Sequence, residues 1–371
     1  MENEKVIIKN YPSPNPNVAK SSSRFAKEVR EVNGKEIDVI AAADFEYELT
    51  KFELDENERG IFKPITDDKQ QVKKGNDTIF PYIPNSDLEE LIRLVQILKR
   101  PILLKGEPGS GKTQLSKAVA YEWYGSNYRQ HYFEWHIKST SKATDGLYTF
   151  DHVGRLRDAH FSKLDGNKTT LKDIKEYRSF GPLAKAFLTS TRESPSIILI
   201  DEIDKAGIDF PNDLLLELDE GRFTILETGE EIKALYPPVI FITSNDERQL
   251  PEAFLRRCLF SYIQFPENDQ LKNIIRAHIP GLVEKHEEFF KNAIDRFNKL
   301  REDIKRDAAD SKRVSTSELL DWLKAFYYDL MISGKLESEE LKNLDFEKLK
   351  NYLPTLLKTI PAIKRENSKG N

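Results

Sequence analysis

One glycine-rich stretch restricts the possible folds of this chain more than any other feature. Residues 106–113 read Gly-Glu-Pro-Gly-Ser-Gly-Lys-Thr and match the pattern G-x-x-x-x-G-K-[ST] at every specified position. The apolar run at 101–104 predicts a buried strand before it, and residues 114–123 predict a helix with an apolar stripe after it. A strand, a glycine loop and a helix in this order predict a loop whose backbone N–H groups surround phosphates.

The spacing within this loop assigns roles to its side chains. Lys112 is predicted to reach the β- and γ-phosphates of a nucleotide, and the Thr113 hydroxyl is predicted to hold Mg²⁺. The other residues predicted to contact the nucleotide are Gly106, Glu107, Pro108, Gly109, Ser110, Gly111 and Gln114.

A second apolar run ends in two carboxylates and predicts the other half of the site. Residues 196–200 are Ser-Ile-Ile-Leu-Ile, and Asp201 and Glu202 follow directly. A continuous apolar run is expected of a central parallel strand covered on both faces, and ligands bind at the carboxyl ends of such strands. Asp201 is therefore predicted to hold Mg²⁺ through water, and Glu202 to orient and polarise the attacking water.

A third apolar run, residues 238–242, leads through Thr-Ser to Asn245, which is predicted to hold the attacking water against the γ-phosphate. Further along, Arg256 and Arg257 stand next to each other within an otherwise apolar helix end. Arginine is almost never fully buried without a partner. These two side chains are therefore expected either to point to solvent or to meet an anion.

The distribution of apolar residues divides the chain into three parts. Residues 1–80 are predicted to form an N-terminal arm and a small β appendage, in which Asn33-Gly34 marks a hairpin turn. Residues 81–265 alternate strands and helices, which is typical of an α/β domain with a parallel sheet. Residues 266–371 show only helical spacing and end in a polar tail.

The order of these motifs resembles that of the AAA+ ATPases over roughly residues 80 to 330, and the intervening segments are most similar to the MoxR group, which carries an insertion in its second helix. The segments similar to that group are 202–206, 214–223, the hairpin segment 224–236, the insertion segment 141–159 and 181–183. The resemblance implies a P-loop NTPase domain with a parallel sheet and β-hairpin insertions, followed by an all-helical lid.

The same resemblance implies further roles. Residues 106–113 stand at the Walker A motif, 197–202 at Walker B and Asn245 at sensor 1. Arg257 stands at the arginine finger, with Arg256 as the alternative, and the lid residue at sensor 2 is Arg313.

The activity implied by the resemblance is Mg-ATP hydrolysis in a homo-oligomeric ring, by family default a hexamer. A finger on the far edge of the domain cannot easily reach the phosphate of its own subunit, so a neighbour would supply it. The implied work is chaperone-like remodelling or maturation of a client protein, such as one with a von Willebrand factor A domain.

Composition argues against several other classes of protein. The net charge of −5 argues against nonspecific nucleic-acid binding, which needs basic stripes. No apolar run reaches 18 residues, so no membrane span is expected. The single cysteine, Cys258, and an N-terminus without the apolar core of a signal peptide predict a cytoplasmic location.

Two alternative functions remain open at this point. One is a nucleotide-dependent switch or scaffold in a defence or signalling complex, although the intact Glu202 favours hydrolysis. The other is a GTP-driven nucleic-acid motor of the McrB type, another group with an inserted hairpin. Asp246-Glu247 follows Asn245 here, whereas that group has Asn-Thr-Ala-Asp, and the chain has no N-K-x-D motif.

Overall fold

Short strands form two small sheets in the first 80 residues. These strands are β1 (Val6–Asn10), β2 (Ala26–Val32), β3 (Lys35–Ile40), β4 (Phe52–Leu54) and β5 (Phe62–Pro64). The first three pair antiparallel in that order, and β4 pairs with β5. Val32 pairs with Lys35, the register that a two-residue turn produces, although the predicted turn residues themselves lie outside the described part of the chain.

The computed structural model describes residues 6–10, 26–32, 35–40, 52–54, 62–64, 82–84, 86–164, 172–279, 286–306, 314–332 and 352–357. Its remaining strands are β6 (Ile102–Gly106), β7 (Tyr132–His136), β8 (Tyr148–Phe150), β9 (Arg178–Phe180), β10 (Ile197–Asp201), β11 (Arg222–Ile225), β12 (Glu230–Lys233), β13 (Val239–Ser244) and β14 (Leu259–Ile263).

Five of these strands form one parallel sheet in the order β14-β6-β13-β10-β7. Every residue of β10 and β13 is buried, as their continuous apolar sequences predict for strands covered on both faces. The predicted parallel sheet is therefore confirmed. Because β6, β13 and β10 are neighbours, the polar residues after each of them meet at one edge.

Helices cover both faces of the sheet and continue beyond it. They are α1 (Ser86–Leu98), α2 (Lys112–Tyr124), α3 (Ala143–Leu147), α4 (His152–Leu164), α5 (Pro182–Thr189), α6 (Phe210–Asp213), α7 (Leu215–Glu220), α8 (Glu252–Leu255), α9 (Asn268–His278), α10 (Glu287–Arg306), α11 (Thr316–Ile332) and α12 (Leu353–Leu356). Alternate strand residues enter opposite cores: Leu199 packs with α1 and α2, whereas Ile198 and Ile200 pack with α5.

Two insertions stand beside the sheet. β8 and β9 pair antiparallel and enclose α4, and β11 and β12 form a separate hairpin. The two insertions contact each other, because the Leu226 N–H donates to the Tyr148 hydroxyl at 3.0 Å and Arg178 pairs with Glu230. The predicted β-hairpin insertions are therefore confirmed.

After β14 the described residues contain helices and no strand. Helices α9, α10, α11 and α12 bury their own apolar cluster, which includes Phe289, Phe297 and Phe326. The predicted helical C-terminal region is confirmed, and we call α9–α12 the lid. No helix in the described ranges is long and apolar enough to cross a membrane.

Candidate functional site

The glycine-rich loop connects the end of β6 to the start of α2. Gly109 and Gly111 have φ angles of 71° and 88°, in the left-handed region that glycine adopts without strain. The ammonium of the buried Lys112 donates to the carbonyls of Gly106 and Glu107, both at 2.8 Å. The lysine thus closes the loop from the inside, where its charge is available to phosphate.

The two residues predicted to hold Mg²⁺ are in contact. Asp201 Oδ1 accepts hydrogen bonds from the Thr113 hydroxyl at 3.0 Å and from the Thr243 hydroxyl at 2.7 Å. His136 Nδ1 lies 3.1 Å from Asp201 Oδ2. Burial lowers the pKa of the Lys112 ammonium beside them, and nearby carboxylates, first Asp201, oppose that shift. A hydroxyl and a carboxylate are hard oxygen donors of the kind Mg²⁺ requires, so these residues fit the ion.

Glu202 and Asn245, predicted to act on the attacking water, are also neighbours. Asn245 Nδ2 donates to Glu202 Oε1 at 3.0 Å, and Lys205 donates to Glu202 Oε2. Glu202 has a φ of 58°, an uncommon conformation for a residue with a side chain. The contact follows from the pairing of β10 with β13, since Ile200 lies opposite Ile242 and each strand ends nearby.

Sequence reasoning missed two residues that support this arrangement. Thr243 accepts the Glu202 N–H at 2.8 Å in addition to donating to Asp201. The buried carboxylate of Asp204 accepts the N–H groups of Asn245 at 3.1 Å and of Glu247 at 2.9 Å. Two features of the sequence could have indicated these residues. Thr243 is a hydroxyl residue at the end of an apolar strand, and Asp204 is a second acid two residues after Glu202.

A cavity of about 460 Å³ lies beside the loop, between the sheet domain and the lid. Its lining includes Ser110, Gln114, Tyr82 and Phe265, and from the lid Thr316, Ser317, Leu320, Asp321 and Lys324. Ser110 Oγ and Gln114 Oε1 are buried and have no hydrogen-bond partner in the described part of the protein. Buried polar atoms normally have a partner, and the volume is that of a small-molecule site. Sequence reasoning did not identify this cavity.

The predicted finger arginines lie elsewhere. The expectation that they lie within a helix is corrected, because α8 ends at Leu255 and both residues belong to the turn before β14. Arg257 pairs with Asp219 and Arg256 with Glu252.

The register of β14 places this turn at the end of the sheet opposite the loop. Leu259 pairs with Ile102 at the start of β6, whereas the glycine loop follows Gly106 at its other end. At about 3.3 Å per residue, that strand spans roughly 13 Å. The structure therefore does not bring Arg256 or Arg257 to the loop of the same chain. Arg313 lies outside the described residues.

Residues 102–267 match the family described as ATPase family associated with various cellular activities (AAA). The chain is 28% identical to the Lon protease of Rhizobium meliloti (strain 1021) over 196 residues, covering 51% of this chain and 21% of that protein. It is 23% identical to the chaperone protein ClpC2, chloroplastic, of Oryza sativa subsp. japonica over 293 residues, covering 75% and 29% of the two chains. The chain thus spans less than a third of either relative.

A solved structure from Cytophaga hutchinsonii is similar at 13% identity and a TM-score of 0.35, covering 73% of this chain and 89% of that one. The family match and the parallel sheet agree with each other: residues 102–267 match the AAA family model and have an α/β P-loop NTPase fold, and a helical region follows them.

Proposed function

We propose that this chain is a MoxR-like AAA+ ATPase that hydrolyses ATP with Mg²⁺ and uses the reaction to remodel or mature a client protein. One observation carries the proposal. A continuous hydrogen-bonded series connects Thr113, Asp201, Thr243, Glu202 and Asn245 at the carboxyl ends of neighbouring strands. This series begins directly after Lys112, so the phosphate, metal and water functions meet in one place.

Each group has a distinct chemical task. Lys112 donates to phosphate oxygens, and the loop N–H groups surround them. Mg²⁺ held by Thr113 and Asp201 would neutralise charge on the phosphates. Glu202, oriented by Asn245, polarises a water molecule, whose oxygen bonds to the γ-phosphorus while the bond from that phosphorus to ADP breaks. The proton of the water passes to solvent through the carboxylate.

The position of Arg257 supports a ring. Its turn lies at the opposite end of the sheet from the loop of its own chain, so an arginine finger there would serve the neighbouring subunit. A head-to-tail interface of this kind closes into a ring when the rotation between subunits permits it. We take six subunits as the default for the group that this chain resembles.

The insertions support a protein client. Several large apolar side chains are mostly exposed there, among them Val153 and Leu156 on α4, with exposed fractions of 77% and 66%, and Leu226 beside Tyr148, with 83%. Exposed apolar surface of this kind often marks a protein contact. ClpC2, one of the relatives, is named a chaperone. A client with a von Willebrand factor A domain and a cytoplasmic location remain part of the proposal.

Two substitutions test the separate roles of Lys112 and Glu202. Lys112→Ala removes a direct phosphate contact, so we expect nucleotide binding to be lost. Glu202→Gln leaves the phosphate contacts in place, so we expect ATP binding to be retained and turnover to fall by at least about 10²-fold, since the group acts on the water. The measurements are fluorescence titration with labelled ATP and steady-state phosphate release.

The same assays separate the alternatives. A Glu202→Gln protein that keeps more than a tenth of the wild-type rate would refute the assignment of Glu202. Binding without turnover by the unaltered chain would favour a nucleotide switch. A preference for GTP over ATP in a competition titration would favour the McrB-type motor.

A further inference from the structure

One lid arginine contacts three separate segments around the cavity. Arg301, on α10, donates from Nη2 to Glu107 Oε2 at 2.9 Å and from Nη1 to the Val314 carbonyl. Its guanidinium carbon lies 3.5 Å from the centroid of the Phe265 ring. The side chains of Arg301 and Glu107 are only 15% and 21% exposed. This is therefore a shielded contact, unlike a solvated surface ion pair.

Each of the three contacted segments belongs to, or directly precedes, a part of the chain that lines the cavity. Glu107 is the second residue of the glycine loop, and its carbonyl accepts a hydrogen bond from Lys112. Phe265 lines the cavity and belongs to the connection between β14 and α9. Val314 comes two residues before α11, whose first residues also line the cavity. Substitution of Arg301 would therefore remove contacts with the glycine loop, with the connection between β14 and α9, and with the segment before α11 at the same time.

The chemistry of the contact restricts its geometry. A guanidinium is planar, so stacking on Phe265 fixes the plane in which its N–H groups reach Glu107. Charge-assisted hydrogen bonds of this kind are shorter and stronger than neutral ones. The pair therefore holds the lid at a defined distance from the loop.

We propose that Arg301, acting through Glu107, is a positioning residue that holds the lid against the phosphate-binding loop and so sets the shape of the nucleotide cavity. The inference rests on the proposed nucleotide-dependent function. It assigns a task to two residues whose side chains need not touch the reacting atoms. Loss of the pair should weaken nucleotide binding more than it slows the chemical step.

A second ion pair in the same chain provides a matched control. Arg178 and Glu230 are paired with side-chain exposures of 14% and 29%, and the Arg178 guanidinium lies 4.8 Å from the centroid of the Phe180 ring. This pair has the same composition and similar burial, but it joins the two insertions. A structural contribution to stability should be common to both pairs, whereas an effect on nucleotide affinity should be confined to Arg301.

The experiment compares Arg301→Met, Glu107→Gln, the double variant and Arg178→Met in the full chain. Dissociation constants for ATP and ADP, steady-state KM and kcat, and thermal unfolding without nucleotide are measured for each. We expect Arg301→Met and Glu107→Gln each to raise Kd and KM about tenfold, the loss typical of a charged hydrogen bond. Their kcat should change less than about threefold, and the double variant should be no worse than the poorer single.

Arg178→Met should lower the unfolding temperature while its Kd stays within about twofold of wild type. Arg301→Lys should recover part of the affinity, because it keeps the charge but not the planar stack. If Arg301→Met does not fold, Glu107→Gln, which is nearly isosteric, carries the test alone.

Unchanged Kd in both single variants, or fully additive effects in the double variant, would overturn the inference. These outcomes differ from failure of the proposed function. If the unaltered chain binds neither ATP nor ADP, the proposed function fails and this inference with it. If it binds them and the variants bind equally well, only the inference fails.

Discussion

At the residue scale, Thr243 is the side chain on which the two acids of the site depend. Its exposed fraction is 1%, and its hydroxyl donates to Asp201 while accepting the Glu202 N–H. One hydroxyl thus sets the position of the carboxylate that we propose to hold Mg²⁺ and of the backbone that carries the proposed catalytic carboxylate. Without these two hydrogen bonds, a threonine at the end of a buried strand would be interpreted as a residue that only packs in the core.

Thr243→Val keeps the shape of this side chain and removes the hydroxyl. We expect a loss of about 1–3 kcal/mol in the free energy of unfolding, because two buried polar groups lose a partner. Turnover should fall at least about tenfold as Asp201 and Glu202 move, a misplacement of the kind that is costly in catalysis. ATP affinity should change little, since Lys112 and the loop are untouched.

The control is Thr243→Ser, which keeps the hydroxyl and should retain most of the rate. Chemical unfolding, ATP titration and phosphate release measure the three effects. A Thr243→Val protein with wild-type turnover would show that the two acids hold their positions without this hydroxyl.

At the scale of elements, the glycine loop and the lid are built in contact. A Cβ placed on Gly109 would lie 2.4 Å from Cβ of Ser315, directly before α11. The Ser317 hydroxyl donates to the Gly109 carbonyl at 3.5 Å, a weak contact. The absence of a side chain at Gly109 therefore decides how closely α11 approaches the loop, besides allowing the left-handed φ.

These two effects can be separated with Gly109→Ala and a matched glycine. Gly229, in the loop between β11 and β12, has a φ of 69°, close to the 71° of Gly109, but no atom of the described residues lies within 4 Å of the place that a Cβ would take there. Both substitutions should cost about 1–2 kcal/mol for the left-handed backbone. Only Gly109→Ala should also lose nucleotide affinity, by about tenfold or more, because the lid must move away.

Unfolding curves and ATP titrations of the two variants provide the comparison. Equal nucleotide affinity in Gly109→Ala and Gly229→Ala would mean that the lid does not press on the loop, and that glycine is needed there only for its backbone conformation.

At the scale of the whole molecule, the proposed reaction needs more than one chain. The glycine loop and the turn with Arg257 occupy opposite ends of the sheet, and Arg257 pairs with Asp219 of its own chain. Both side chains of that pair are 41% exposed, so the pair is weak and can exchange its partner at an interface.

Arg257→Ala should therefore reduce turnover by about 10²-fold or more while ATP affinity per subunit stays nearly constant. Arg256→Ala should reduce it less and act mainly through assembly. The decisive test mixes Arg257→Ala with Lys112→Ala protein. Each lacks a different half of the shared site, so mixed rings contain some intact interfaces and should regain activity.

Mass photometry with ATP establishes whether the two variants assemble together. Co-assembled rings without recovered activity would mean that Arg257 does not act across an interface. A monomer with full activity, independent of protein concentration, would contradict the ring itself.

Short-range patterns in the sequence were enough to predict the glycine loop, the strands ending near Asp201 and Asn245, and the helical lid. Each pattern is local. A run of apolar residues indicates a strand that is covered on both faces, and glycines indicate where the backbone turns. Parallel neighbouring strands then place their polar ends together, so the contact between Glu202 and Asn245 could be expected in advance.

Only the tertiary structure decided which distant residues meet around that site. Arg301 reaches Glu107 across 194 positions, Ser315 limits the space at Gly109, and the cavity forms between segments from both ends of the domain. Periodicity shows that a residue is buried but not which element buries it, because that depends on packing between elements far apart in the chain. The opposite placement of Arg257 and the loop is likewise set by the pairing of β14 with β6, which no local pattern specifies.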